Sequence, residues 1–302
     1  MHASSLRRIF ISSPRMTAGV LLLGAQFAVL CGAADAGAER KPRTGCRPEM
    51  VRVKDFCVDR YESSTVDKQS GQRLSPYYPP EYRLLRRVYD YWDLGRFASG
   101  DAAAQRMPLP ELSDWQRGHE FQAMAVSLRG VVPQAYVSFH TAKSACALAG
   151  KRLCTKSEWT TACHGQTARK HPYGTKFRRG RCNVYRFLHP GFVLHGVSSV
   201  GHLDPRLNLL TIAGDDSVLW TTGSSRGCRS EWGDDGIYDM VGNLDEWVDE
   251  ERGRRAVFRG GFYARSTTQG CEAKVTNHSK AYYDYSLGIR CCENASPSAP
   301  AD

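Results

Sequence analysis

Ten cysteines fall between residues 46 and 292, and an even number spread that widely limits what the chain can fold into. What they can do depends on the compartment. Met1–Arg15 carries Arg7, Arg8 and Arg15 without an acid, Met16–Leu30 is apolar, and Ala36-Gly37-Ala38 offers small residues for cleavage. That layout is a secretory signal peptide over residues 1–38, so the chain is expected to be exported, periplasmic or extracellular. In an oxidising compartment the ten cysteines favour disulfides over free thiols or zinc. The apolar run is shorter than the ~20 residues a helical span needs. Cys31 leaves a lipoprotein open, and membrane contact is expected only if that cysteine is lipidated. No later stretch is apolar for long enough to cross a bilayer.

A chain of 302 residues with 41% hydrophobic content can build a globular core, as one large domain or two small ones. Its formal charge of +10 includes a net +2 from residues 1–38, three arginines against Asp35. The remainder favours anionic partners without naming one. Nucleic acid is not expected, because no binding module is recognisable in an exported chain.

The pattern of residues places the elements. After a polar lead-in (39–45), Cys46 and Cys57 flank Met50–Phe56, an alternating run broken by Lys54-Asp55, which predicts a hairpin closed by its own disulfide. Val58–Glu62 continues as a strand. Pro79-Pro80-Glu81 can open a helix with Leu84, Leu85, Val88, Tyr91 and Trp92 on its apolar side and Gly95 at its end. A second helix is expected near Trp115–Val126. Trp92 and Trp115 could line a pocket, plain packing being the simpler reading. Further on, Thr141 can cap a helix ended by Gly150, and Thr155-Lys-Ser-Glu158 is a capping box that opens another, carrying Trp159, Ala162 and Cys163 inward. Residues 184–227 read as loops, and 293–302 as a disordered tail.

Three stretches carry candidate chemistry. Within Asp239–Glu246 a glycine permits a tight turn, while Asp239, Asn243, Asp245 and Glu246 put hard oxygens within eight residues, a density that suits calcium. Val257–Gly261 is a β-like run ending in two glycines that let backbone or ligand approach closely. The densest basic run is Arg169, Lys170, His171, Lys176, Arg178, Arg179 and Arg181; it is a solvated loop or an anion site for phosphate, sulfate or acidic glycan. The histidines show no metal-binding spacing, and neither a nucleophile elbow nor a phosphate loop is present.

The order of Gly150-Lys-Arg-Leu153, Glu158-Trp159, Gly236–Gly261 and Gly288-Ile-Arg-Cys291 resembles the formylglycine-generating enzyme family, also called the sulfatase-modifying-factor family. The resemblance covers roughly Cys46 to Cys292 and is weak at Ser63–Pro133 and Arg186–Gly227. It implies a single loop-rich α+β domain over 46–292 with a C-type-lectin-like fold, disulfide-stapled, in which 63–133 is a divergent insertion. It also implies the bridges Cys146–Cys291 and Cys163–Cys271; Cys46–Cys57, Cys154–Cys292 and Cys182–Cys228 are then the pairings for the rest. Structural calcium would be held by side chains of Asp239 and Glu246 and by carbonyls of Gly242 and Leu244, the positions that match the family's loop.

The family's copper-dependent members oxidise a substrate cysteine with two active-site cysteines that follow the Gly-Gly motif. Those places fall at Arg265 and Gly270, so copper is not expected and no catalytic residue is assigned. Arg265 could instead extend an anionic specificity shared with Arg178, Arg179 and Arg181. The expected function is a calcium-stabilised binding module for a peptide, glycan or other anionic ligand. The rivals are a metal-dependent oxidoreductase with an unrecognised metal site and a disulfide-rich structural protein of the envelope.

Overall fold

The computed structural model describes residues 45–95, 106–184, 189–212, 216–265 and 267–296; the readings for residues 1–38 and Cys31 lie outside the described residues. Met50–Val53 (β1) and Phe56–Asp59 (β2) pair antiparallel across Lys54-Asp55, and Lys54 takes the left-handed φ of 53° that so tight a turn requires. Ser63–Asp67 (β3) pairs with Ala123–Ser127 (β4), so the segment between them begins and ends side by side. Inside it, Tyr82–Asp93 (α1) starts where the Glu81 carboxylate accepts the N–H groups of Arg83 and Leu84, and it buries Leu85, Val88 and Trp92. The helix expected near Trp115–Val126 is corrected. Only Asp114–Gly118 (α2) is helical, because Ala123, Ala125 and Ser127 are buried while Met124 and Val126 are half-buried, the period of a strand.

Phe139–Leu148 (α3) is capped by Ser138, whose hydroxyl accepts the Thr141 N–H, so Thr141 stands in the first turn and not at the cap. Arg152–Leu153 (β5) follows, then Lys156–His164 (α4), opened by the reciprocal capping box of Thr155 and Glu158. Between α4 and residue 229 the described residues form Pro190–His195 (α5), a 3-10 turn at Pro205–Leu209 and the two-residue strands Thr211–Ile212 (β6) and Asp216–Ser217 (β7). Arg229–Trp232 (β8) and Asp235–Tyr238 (β9) form a hairpin, and Asp245–Arg252 (β10) with Arg255–Arg259 (β11) a second one. Lys274–Val275 (β12), Leu287–Gly288 (β13) and Cys291–Asn294 (β14) complete the order.

Two four-stranded sheets result, β1-β2-β14-β5 and β12-β11-β10-β13. In the first, Glu293 and Asn294 stand opposite Cys57 and Phe56. The tail therefore begins later than residue 293, since these two residues find a free strand edge to pair with.

Five disulfides join Cys46–Cys57, Cys146–Cys291, Cys154–Cys292, Cys163–Cys271 and Cys182–Cys228. Sulfurs of the last three lie inside one core around Trp159, and Cys146–Cys291 lies in a second around Trp247. The bridges thus replace apolar volume that a loop-rich chain with short elements lacks.

Candidate functional site

Asp245 and Glu246 are neighbours on β10, and a strand sends neighbours to opposite sides. On one side, Glu246 accepts from Arg290 Nε at 3.0 Å, Arg290 Nη2 at 2.8 Å and Trp159 Nε1 at 2.6 Å. Arg290 also donates to the carbonyls of Asp59 and Tyr238, both at 2.8 Å, so one buried guanidinium ties three segments together. Glu62 closes the loop from beneath, its carboxylate accepting Leu244 N–H at 3.1 Å and Asn243 Nδ2 at 2.6 Å. Asn243, at φ 60°, accepts from Asn183 Nδ2 and Trp220 N–H, both at 2.9 Å. Gly242 has no alternative residue: at its φ of 85°, a Cβ would stand 2.3 Å from the Asn183 carbonyl oxygen.

Charge in this loop is unbalanced. Glu62, Asp239 and Glu246 are all buried beside the single cation Arg290. Burial first, then repulsion by Asp239 and Glu246, raises the Glu62 carboxyl well above its ordinary range. Burial also pushes Asp239 up to about 7, although its carboxylate accepts the Gly223 N–H at 2.7 Å. Such donors suit a hard cation by chemistry. Both Glu246 oxygens face Arg290 and Trp159, and among the described residues there is no group of three His, Cys, Asp or Glu side chains that could hold a metal by themselves. Arg290 and Glu62 are residues the sequence reading assigned no role; the Gly-Ile-Arg-Cys motif was the available signal for the first.

On the other side of β10, Asp245 Oδ1 accepts Gly261 N–H at 2.9 Å and Arg265 Nη2, while Oδ2 is buried without a hydrogen bond. The paired glycines serve that approach, Gly261 standing at φ 81° with its amide toward the carboxylate. Burial pushes the Asp245 carboxyl up to about 6 against the pull of Arg265 and the Gly261 N–H. Gly270 brings no side chain, and Cys271 beside it is bridged to Cys163. All ten cysteines of the described residues are in disulfides.

The basic run folds as a loop against this corner. Arg178 lines a cavity of about 370 Å³ with Arg169, Tyr173, Gly174, Thr175 and Lys176, a lining with three cations and no acid. Arg169 reaches Glu231 at 3.0 Å, outside that lining. Arg179 and Arg181 are exposed but do not line the cavity, and no hydrogen bond or ion pair joins Arg265 to it among the described residues. The loop is seated by His171, which is buried, stacked on Tyr173 at 5.3 Å, and without a hydrogen bond at either ring nitrogen. Burial, then Lys170, lowers its pKa, so the ring is neutral there. Trp92 does line a cavity; Trp115 stacks on His119 and packs against Phe121.

Together these features define a disulfide-stapled, loop-rich α+β domain whose acidic loop is braced internally and whose described residues hold no free thiol. Residues 14–295 match the model of the sulfatase-modifying factor enzyme 1-like domain, FGE-sulfatase, and the chain belongs to that family, with its C-type-lectin-like fold. Among curated relatives, it is 27% identical over 211 residues to the inactive C-alpha-formylglycine-generating enzyme 2 of Bos taurus and 25% identical over 213 residues to that of Mus musculus. Both alignments take in 66% of this chain, and it spans 60% and 59% of the length of these relatives. Among solved structures, PvdO from Pseudomonas aeruginosa is 13% identical with a TM-score of 0.36, over 84% of this chain and 100% of that one. CarF is 14% identical with a TM-score of 0.35, over 79% and 86%.

Proposed function

We propose that this chain is an exported, non-oxidising member of the family that acts as a binding module for an anionic peptide or glycan. The observation that carries the reading is that every cysteine from 46 to 292 is committed to a disulfide. Cu(I) is a soft ion that needs thiolate ligands. At the two places that match the family's copper cysteines, Arg265 brings a permanent positive charge tied to Asp245 and Gly270 brings no side chain. The matched curated relatives carry the word inactive in their names, which agrees with this reading.

The cavity supports the anionic ligand, because Lys176 and Arg178 line it beside Arg169, whose charge is shared with Glu231, and such cations attract phosphate, sulfate or carboxylate groups. Of the four arginines proposed as ligand contacts, Arg178 lines this cavity, which supports it as the contact; Arg179 and Arg181 are exposed and follow it in sequence. Calcium at the Asp239–Glu246 loop belongs to the same proposal, supported by the excess of buried carboxylate over Arg290. It requires Glu246 to exchange Arg290 for the ion. Calorimetric titration of the chain with a sulfated oligosaccharide and with an acidic peptide tests the reading. Saturable binding that Arg178→Gln weakens by about tenfold supports it, and its absence for both ligands rejects the binding module.

A further inference from the structure

A second cavity, about 310 Å³, lies between α1 and the segment 201–203, far from the basic loop in sequence and sharing no lining residue with it. Its lining is mostly apolar. Val88 and Trp92 are buried and form its inner face, Leu203 is half-buried, and Tyr91 is 52% exposed at the rim. The polar members are Arg87 and His202. Its volume is at the low end for ligand pockets, and an apolar lining with a few polar groups is how such pockets are built.

The inner face is fixed before any ligand arrives. Trp92 meets Tyr91 edge-on at 5.1 Å, and Arg206 stacks over its ring at 5.9 Å. Arg206 is itself pinned by Asp204, through Nε at 3.0 Å and Nη2 at 2.7 Å, and all three residues are buried. His195 packs against Trp92 at 5.5 Å, with Nε2 3.2 Å from Asp204 Oδ2 but poorly aligned for a hydrogen bond. An aromatic corner so held loses little entropy when a ring packs into it.

Charge selects the rest of the ligand. Arg87 is exposed and has no hydrogen bond or ion pair among the described residues. His202 is a weaker candidate for an anion, since its Nε2 donates to the Ser198 carbonyl at 2.9 Å and leaves Nδ1 as an acceptor in the neutral ring. We propose that this cavity binds an aryl carboxylate: one aromatic ring against Trp92, Tyr91, Val88 and Leu203, and a short arm that carries a carboxylate to Arg87. That chemistry has two sources, a free aromatic acid or the C-terminal aromatic residue of a peptide. The proposal is independent of the anionic ligand assigned to the basic loop.

Calorimetric titration of the full chain with 3-phenylpropionate and with Ala-Ala-Phe bearing a free C-terminus, each beside its amide, tests it. The expected result is saturable one-site binding of at least one acid, with the amide about tenfold weaker. The acid that binds names the source. Arg87→Gln should remove the preference for acid over amide while leaving the melting curve unchanged, because Arg87 lies on the surface. Among the six tryptophans, Trp92→Phe should abolish the fluorescence change on binding. Binding of neither acid, equal binding of acid and amide, or a preference that survives Arg87→Gln overturns the proposal.

Discussion

Arg265 Nη2 lies 2.5 Å from Asp245 Oδ1, twenty residues away in sequence, and the same guanidinium lies 5.8 Å above the Phe262 ring. Asp245 is fully buried, so Arg265 is its only cationic partner among the described hydrogen bonds and ion pairs. Removing the arginine should cost about 1–3 kcal/mol, the penalty of leaving a buried acceptor without its charged donor.

The pH dependence of that cost has a definite sign. A carboxyl raised to about 6 in the folded state binds its proton more tightly there than in the unfolded chain. Its contribution therefore favours folding at low pH and is lost as pH rises from the ordinary aspartate range through about 6. Without Arg265 the folded value rises further, so Arg265→Gln should destabilise more at pH 8 than at pH 5 in urea unfolding, and Asp245→Asn should erase the difference. An equal loss at both pH values would mean that the pair does not hold the two segments.

The calcium proposal follows the same logic in the next loop. Burial pushes Asp239 up to about 7 and Glu62 well above its ordinary range, so their contribution to stability declines as pH rises and their protons are lost beside Arg290. Calcium should raise the melting temperature more above pH 7 than near pH 5, because Asp239, pushed up to about 7, gives up its proton across that window. Glu246→Gln should abolish the calcium effect. A melting curve indifferent to calcium and chelator at pH 8 would leave Arg290 as the loop's counter-ion.

What the sequence made legible is what is local. The capping box of Thr155 and Glu158 and the start of α1 at Glu81 are each decided within four residues, and both stand as read. The segment Ala123–Ser127 is a strand and not the expected helix because its partner β3 lies some sixty residues earlier, and nothing nearby announces it. Cys271 could be aligned by motif, but that Arg265 turns to Asp245, or Glu246 to Arg290, depends on how β10 faces its neighbours. Pairings of that kind are set by tertiary packing, which no spacing rule reaches.

The disulfides should be worth less singly than their separations suggest. Cys146–Cys291, Cys154–Cys292 and Cys163–Cys271 span 145, 138 and 108 residues, but the first two interlace and the third lies inside both. With the other two intact, each closes an effective loop of only about ten to thirty residues, which on the chain-entropy model contributes about 3 kcal/mol and not the ~5 of an isolated long loop. Chemical denaturation of paired Cys→Ala variants reads this directly. A loss of about 5 kcal/mol for one bridge alone would show that the bridges act independently.

The proposal that this chain does not oxidise cysteine rests on the Cys163–Cys271 bridge and on Arg265 and Gly270 at the two matched positions. Mass spectrometry of a cysteine-containing sulfatase peptide, incubated with the purified chain, oxygen, reductant and added copper, tests it most directly. The account predicts an unmodified peptide with or without copper. Conversion of the cysteine to formylglycine by the wild-type chain, abolished by Cys271→Ser, would contradict it, because it would require a thiolate where the structure has a disulfide.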